Sequence, residues 1–197
     1  LNVRQVAKVD LDQLIDLFYQ PENRAEQLGV FQLCAAADMP GKAQRLLAHN
    51  HHMTVTMEAE IGAPVDLRVL ASVVAEQSYS RKILLLDGRN GQPVMFGLVR
   101  IALASLDLPM RQAIVSGTIP LGRVLIESDL LRQVNLLHLY RIEPGSELQE
   151  AFSIAGESDR PPAGSGIRQP EFYARTALIF LNSQPVVELL EIVTVEH

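Results

Sequence analysis

The 197-residue sequence predicts one α+β domain over 1–197, with a mostly antiparallel sheet of about six strands. Three observations carry this. Residues 1–50 space their apolar side chains three and four apart, and from Met53 onward the chain is dominated by Val, Ile, Leu, Thr and aromatic runs. Two pairs of these runs are joined by turns short enough for hairpins, Asp87-Gly88-Arg89-Asn90-Gly91 and Asn182-Ser183-Gln184-Pro185.

The elements follow in order. Leu11, Leu14, Ile15 and Phe18 read as a helix; Leu28, Phe31, Cys34 and Ala35 continue the period after Pro21; residues 40–50 form a third short helix. Breaks fall at Tyr19-Gln20-Pro21-Glu22 and Asp38-Met39-Pro40-Gly41, because proline disfavours helix in the residue before it. Strands are expected at 53–60, 79–86, 94–104, 133–142, 172–182 and 185–195, and helices at 65–76, 107–115 and 120–130. The first of these helices is ambiguous, since Val65, Leu67, Val69 and Leu70 suit a strand equally. The stretch between Gly156 and Pro170 is rich in turn residues and reads as a loop, either a lid or merely flexible.

An apolar content of 48% supports a real core. Seventeen basic against twenty-three acidic residues argue against a large nucleic-acid footprint, while leaving room for a local cationic pocket. Cys34 has no cysteine to pair with, and no apolar run reaches the roughly 18 residues of a spanning helix. A soluble cytoplasmic chain is the expectation. Glycine-rich nucleotide loops and the Gly-x-Ser-x-Gly elbow are absent, which leaves cofactor-free chemistry or simple binding.

Arg81 alternates with Tyr79, Ile83 and Leu85, and Arg175 with Tyr173, Ala177 and Ile179, so each guanidinium shares a strand face with apolar groups. Such a cation needs an anionic partner, either an internal carboxylate or a ligand, and two of them suit a small dianion. Glu188 and Glu191 interrupt the last strand on opposite faces, and periodicity does not choose between them. His49, His51 and His52 are better read as a polar turn than as metal ligands, and His138 as a hydrogen-bonded strand residue. Gly117-Thr118-Ile119-Pro120-Leu121-Gly122-Arg123 reads as a loop delivering a Leu-Gly turn into a helix, where backbone amides can hold an anion.

Taken in order, Thr54-Val55-Thr56-Met57, Tyr79-Ser80-Arg81-Lys82-Ile83-Leu84-Leu85, the Leu121-Gly122-Arg123 turn, Tyr173-Ala174-Arg175 and Pro185-Val186-Val187-Glu188-Leu189-Leu190-Glu191 resemble the chorismate pyruvate-lyase family, including a branch formerly of unknown function. The resemblance runs from Pro40 to Val195. It implies a six-stranded antiparallel sheet with helices on one side, flaps enclosing a buried site, and release of pyruvate from chorismate to give 4-hydroxybenzoate without metal or redox cofactor. By position it implies that Arg81 binds the ring carboxylate, with the backbone amides of Met57 and Leu121 beside it. Glu191 matches the acidic residue near the ring oxygen, while Arg175 and Arg123 match basic residues suited to the enolpyruvyl carboxylate. Glu191 lies one residue further from Pro185 than that family's spacing, so a bulge or a role for Glu188 stays open.

Two other readings compete. The implied fold also resembles the effector domains of bacterial transcription regulators, which makes a non-catalytic sensor or binder of an aromatic carboxylate the main alternative. A DNA-binding head is disfavoured in residues 1–50, where Arg4, Lys8, Arg24, Lys42 and Arg45 face Asp10, Asp12, Asp16, Glu22, Glu26 and Asp38. A purely structural domain would instead pair the arginines with Glu188 and Glu191. Oligomeric state does not follow from the sequence.

Overall fold

The computed structural model describes residues 9–128, 131–153 and 170–195. Its seven strands are β1 (Gly29–Leu33), β2 (Val65–Val74), β3 (Ser78–Asp87), β4 (Pro93–Ala102), β5 (Arg132–Pro144), β6 (Glu171–Leu181) and β7 (Gln184–Val195). They form one sheet in the order β1-β5-β6-β7-β4-β3-β2, with every neighbouring pair antiparallel. The α+β class and both expected hairpins, β3–β4 and β6–β7, are present.

One expected strand is a helix and two strands were unexpected. Residues 53–60 are not extended: they lie in α4 (Met53–Ile61), after α1 (Leu11–Ile15), α2 (Arg24–Gln27) and α3 (Gly41–Leu47). The β preference of Thr54-Val55-Thr56 is weak beside the helix formers Met57-Glu58-Ala59-Glu60, and Gly62 ends the helix in the left-handed region at φ 69°. Residues 65–76 resolve toward the strand, because Val65, Leu67, Val69 and Ala71 alternate inward against β3. The helical period read through Leu28, Phe31 and Cys34 is coincidental. Gly29 at φ 130° starts β1 instead, at a point where a Cβ would lie 2.3 Å from the Glu143 carbonyl oxygen.

Helices cover both faces, which corrects the one-sided layer. On one face α3, α4, α5 (Leu108–Val115) and α6 (Leu121–Ile126) bury Ile83, Leu85, Val99, Leu189 and Val193. On the other, α1 and α7 (Ser146–Ser153) cover Leu84, Phe96, Leu98, Leu190 and Ile192. A strand buried on both sides reads as a continuous apolar run, as Ile83-Leu84-Leu85-Leu86 does, and such a run announces two covering layers. The loop expected between Gly156 and Pro170 lies outside the described residues, apart from Pro170. Among the described residues no helix is long and apolar enough to cross a membrane.

Candidate functional site

The period of two sorts the charged strand residues cleanly. Arg81, Arg175 and Glu191 all fall on the face covered by α3–α6, while Lys82, Arg100 and Glu188 fall on the other. Glu188 bonds to Arg100, whose Nε donates at 2.8 Å. Glu191 is therefore the glutamate that shares a face with the two buried arginines.

Arg175 on β6 stands directly opposite Glu191 on β7, and Glu191 is opposite Gly97 on β4. Nε of Arg175 donates to Oε2 of Glu191 at 2.6 Å, with both side chains buried. The rest of the guanidinium turns toward the turn preceding α4. Nη1 reaches the His49 carbonyl oxygen at 2.9 Å and His49 Nδ1 at 3.0 Å, and Nη2 donates to the His51 carbonyl oxygen at 3.0 Å. Arg175 thus ties two strands to the entrance of a helix. Oε1 of Glu191 makes no hydrogen bond among the described residues.

A cavity of about 40 Å³ opens above this pair. Its floor is Ile83, Val99, Leu189 and Glu191, and its walls are the first turn of α4 (Met53, Thr54) and the start of α6 (Pro120, Leu121, Gly122). Gly122 permits this convergence: a Cβ there would lie 2.6 Å from Thr54 Oγ1. At α4 no side chain caps the first turn, so the amides of Met53 and Thr54 have no partner within the helix. At about three water molecules' worth of space, the cavity is well below the roughly 150 Å³ that accepts benzene.

Arg81 is fully buried on β3, beside Val99 and one step along the strand face from the cavity residue Ile83. Nη1 approaches the Ile114 carbonyl oxygen of α5 at 3.5 Å, while Nε and Nη2 are buried without a hydrogen-bond partner among the described residues. Burial pushes its pKa down; the nearby Tyr79 hydroxyl works the other way without reaching bonding geometry. An orphaned, buried guanidinium is costly, by several kcal/mol for an unpaired ion.

Other expected site residues are placed differently. Met57 is buried, but as the fifth residue of α4 its amide belongs to the helix's own ladder and cannot meet a ligand. Arg123 pairs with Glu58 on the outer side of α4 and does not line the cavity. Leu121 does line it, in the first turn of α6. The histidines are more committed than a solvated turn requires: burial, with Arg175 close by, lowers the His49 pKa to about 4, and burial, with Arg132 and Arg175, lowers that of His52 to about 4. His138 is exposed on β5, 3.5 Å from Thr176 Oγ1. The Tyr173 hydroxyl donates to Glu171 Oε2 at 2.9 Å and does not line the cavity, and burial with the Glu171 carboxylate raises its pKa to about 12. No protein-family model matches the chain, and no curated protein matches it.

Proposed function

We propose that this chain is a chorismate pyruvate-lyase, releasing pyruvate from chorismate and leaving 4-hydroxybenzoate for quinone or related aromatic biosynthesis in the cytoplasm. One observation carries the reading: Arg81 is a fully buried guanidinium with two nitrogens unpartnered among the described residues, on the sheet face that also carries Glu191. A carboxylate engaging Nε and Nη2 side by side satisfies both donors and the buried charge at once. The apolar floor of Ile83, Val99 and Leu189 between Arg81 and Glu191 suits a six-membered ring.

On this reading the ring carboxylate meets Arg81, and the amides of Met53 and Thr54, with that of Leu121, take the part the family resemblance gives to Met57 and Leu121. The bond between the ring carbon and the enolpyruvyl oxygen breaks, the neighbouring ring carbon gives up its proton, and that proton completes the methyl group of pyruvate. Aromatisation drives the reaction, so the residues have only to fix the conformer and stabilise charge on the departing fragment. The unbonded Oε1 of Glu191 assists the proton's passage near the ether oxygen. Arg175 has one N–H left to offer the enolpyruvyl carboxylate. The 40 Å³ cavity requires the Pro120-Leu121-Gly122 wall to draw back as the ligand enters.

The test is incubation of the purified protein with chorismate, following pyruvate and 4-hydroxybenzoate together. Equimolar appearance of both is expected. Neither product, alongside saturable 4-hydroxybenzoate binding, would make the chain a binding domain; neither product and no binding would make the arginines structural.

A further inference from the structure

We infer that His49 is a positioning residue, whose neutral ring, protonated on Nε2 alone, holds the Arg175 guanidinium in register with Glu191. The tautomer follows from partners. Nε2 lies 2.7 Å from the Leu46 carbonyl oxygen, which can only accept, so Nε2 carries the hydrogen. Nδ1 lies 3.0 Å from Arg175 Nη1 and 3.1 Å from the His51 amide nitrogen, both of which can only donate, so Nδ1 presents its lone pair. A second proton on the ring would face two N–H groups and expel both. The groups facing this ring are Arg175 from β6, with Glu191 behind it on β7, and His51, whose ring stacks on it at 5.2 Å. His49 therefore meets one side of the guanidinium and Glu191 the other, while its Nε2–H satisfies the Leu46 carbonyl in the last turn of α3.

The inference deepens the proposed lyase reading, and its test separates the two. Nitrogen-15 NMR of the ligand-free protein reads the His49 ring and the exchange of the Arg175 Nε–H directly. Wild type is expected to show the Nε2–H tautomer at pH 7. His49→Leu, whose side chain offers Nη1 no acceptor and leaves it only the residue-49 carbonyl, is expected to loosen the guanidinium against Glu191 and speed Nε–H exchange about tenfold or more. His49→Asn, whose side-chain oxygen can stand where Nδ1 stood, is expected to restore most of the protection. An Nδ1–H tautomer, or equal exchange in all three proteins, overturns the inference. With chorismate, His49→Leu is expected to lower kcat about tenfold with KM little changed, and His49→Asn to recover it. If wild type turns over no chorismate while the NMR pattern holds, the lyase reading fails and the positioning role stands.

Discussion

The two faces of the sheet handle charge in opposite ways. Beneath α1 and α7 Lys82 and Arg100 have their carboxylates at the rim: Lys82 meets Glu147 and Arg100 meets Glu188, with both acids and Arg100 about one quarter to one third exposed. Beneath α3–α6 Arg175 and Arg81 are fully buried, the first with one carboxylate and the second with none among the described residues. Rim pairs of the first kind contribute little to stability, and their partners stay hydrated if the pair breaks. On the second face any loss strands a charge in a dry environment. The same alternating pattern thus yields one face of rim-paired charge and one of buried charge, distinguished by depth rather than by residue type.

Removing matched carboxylates sharpens this contrast most. Glu191→Ala leaves Arg175 buried without its partner and should cost about 3–5 kcal/mol in urea denaturation, whereas Glu188→Ala should cost less than about 1 kcal/mol. Comparable losses would erase the distinction between the faces. Next comes Arg81→Met, expected to reduce 4-hydroxybenzoate formation by about 10²–10³-fold while leaving the melting temperature unchanged or higher, since it deletes an unpaired buried ion. A destabilised Arg81→Met protein would mean that the cation serves the fold.

Smaller effects follow. Gly122→Ala brings a Cβ to 2.6 Å from Thr54 Oγ1 and should destabilise by about 1–3 kcal/mol, a cost relieved in the Gly122→Ala, Thr54→Ala double variant. The other is a pH effect seated on the buried face. His49 and His52 titrate near 4 when folded against 6.5 for a free histidine, so the unfolded chain binds more protons between those values. Stability present at pH 7 is lost as pH falls from 6.5 toward 4, and the melting temperature should drop by several degrees by about pH 4.5. Replacing both histidines by Gln should flatten that slope.

Much of this was legible in the sequence where alternation is strict. The faces of Arg81 and Arg175 follow from their apolar neighbours at i±2, and the hairpins from Asp87–Gly91 and Asn182–Pro185. Thr54-Val55-Thr56 misled because local β preference lost to the downstream helix formers and the Gly62 stop. Choosing Glu191 over Glu188 turns on the register of the β6–β7 hairpin, where a bulge between Ile179 and Phe180 shifts the pairing by one residue and sets Glu191, rather than Leu190, opposite Arg175. The His49 and His51 carbonyls were invisible for a different reason: they are backbone acceptors, and no side-chain pattern advertises them.

The position of β7 between β6 and β4 has a further consequence. The hairpin stack β2-β3-β4 is contiguous in the chain, as is β5-β6-β7, and the two meet only where Phe96 to Ile101 pair with Ile192 to Val187. Arg81 belongs to the first stack, and Arg175 with Glu191 to the second. The pocket is therefore a joint between two subassemblies, completed by a non-local strand contact that local hairpin formation does not supply. Any fluctuation that parts the seam would dismantle the pocket before melting either half, so amide exchange at Leu98 and Leu190 offers a direct gauge of how often the assembled site exists.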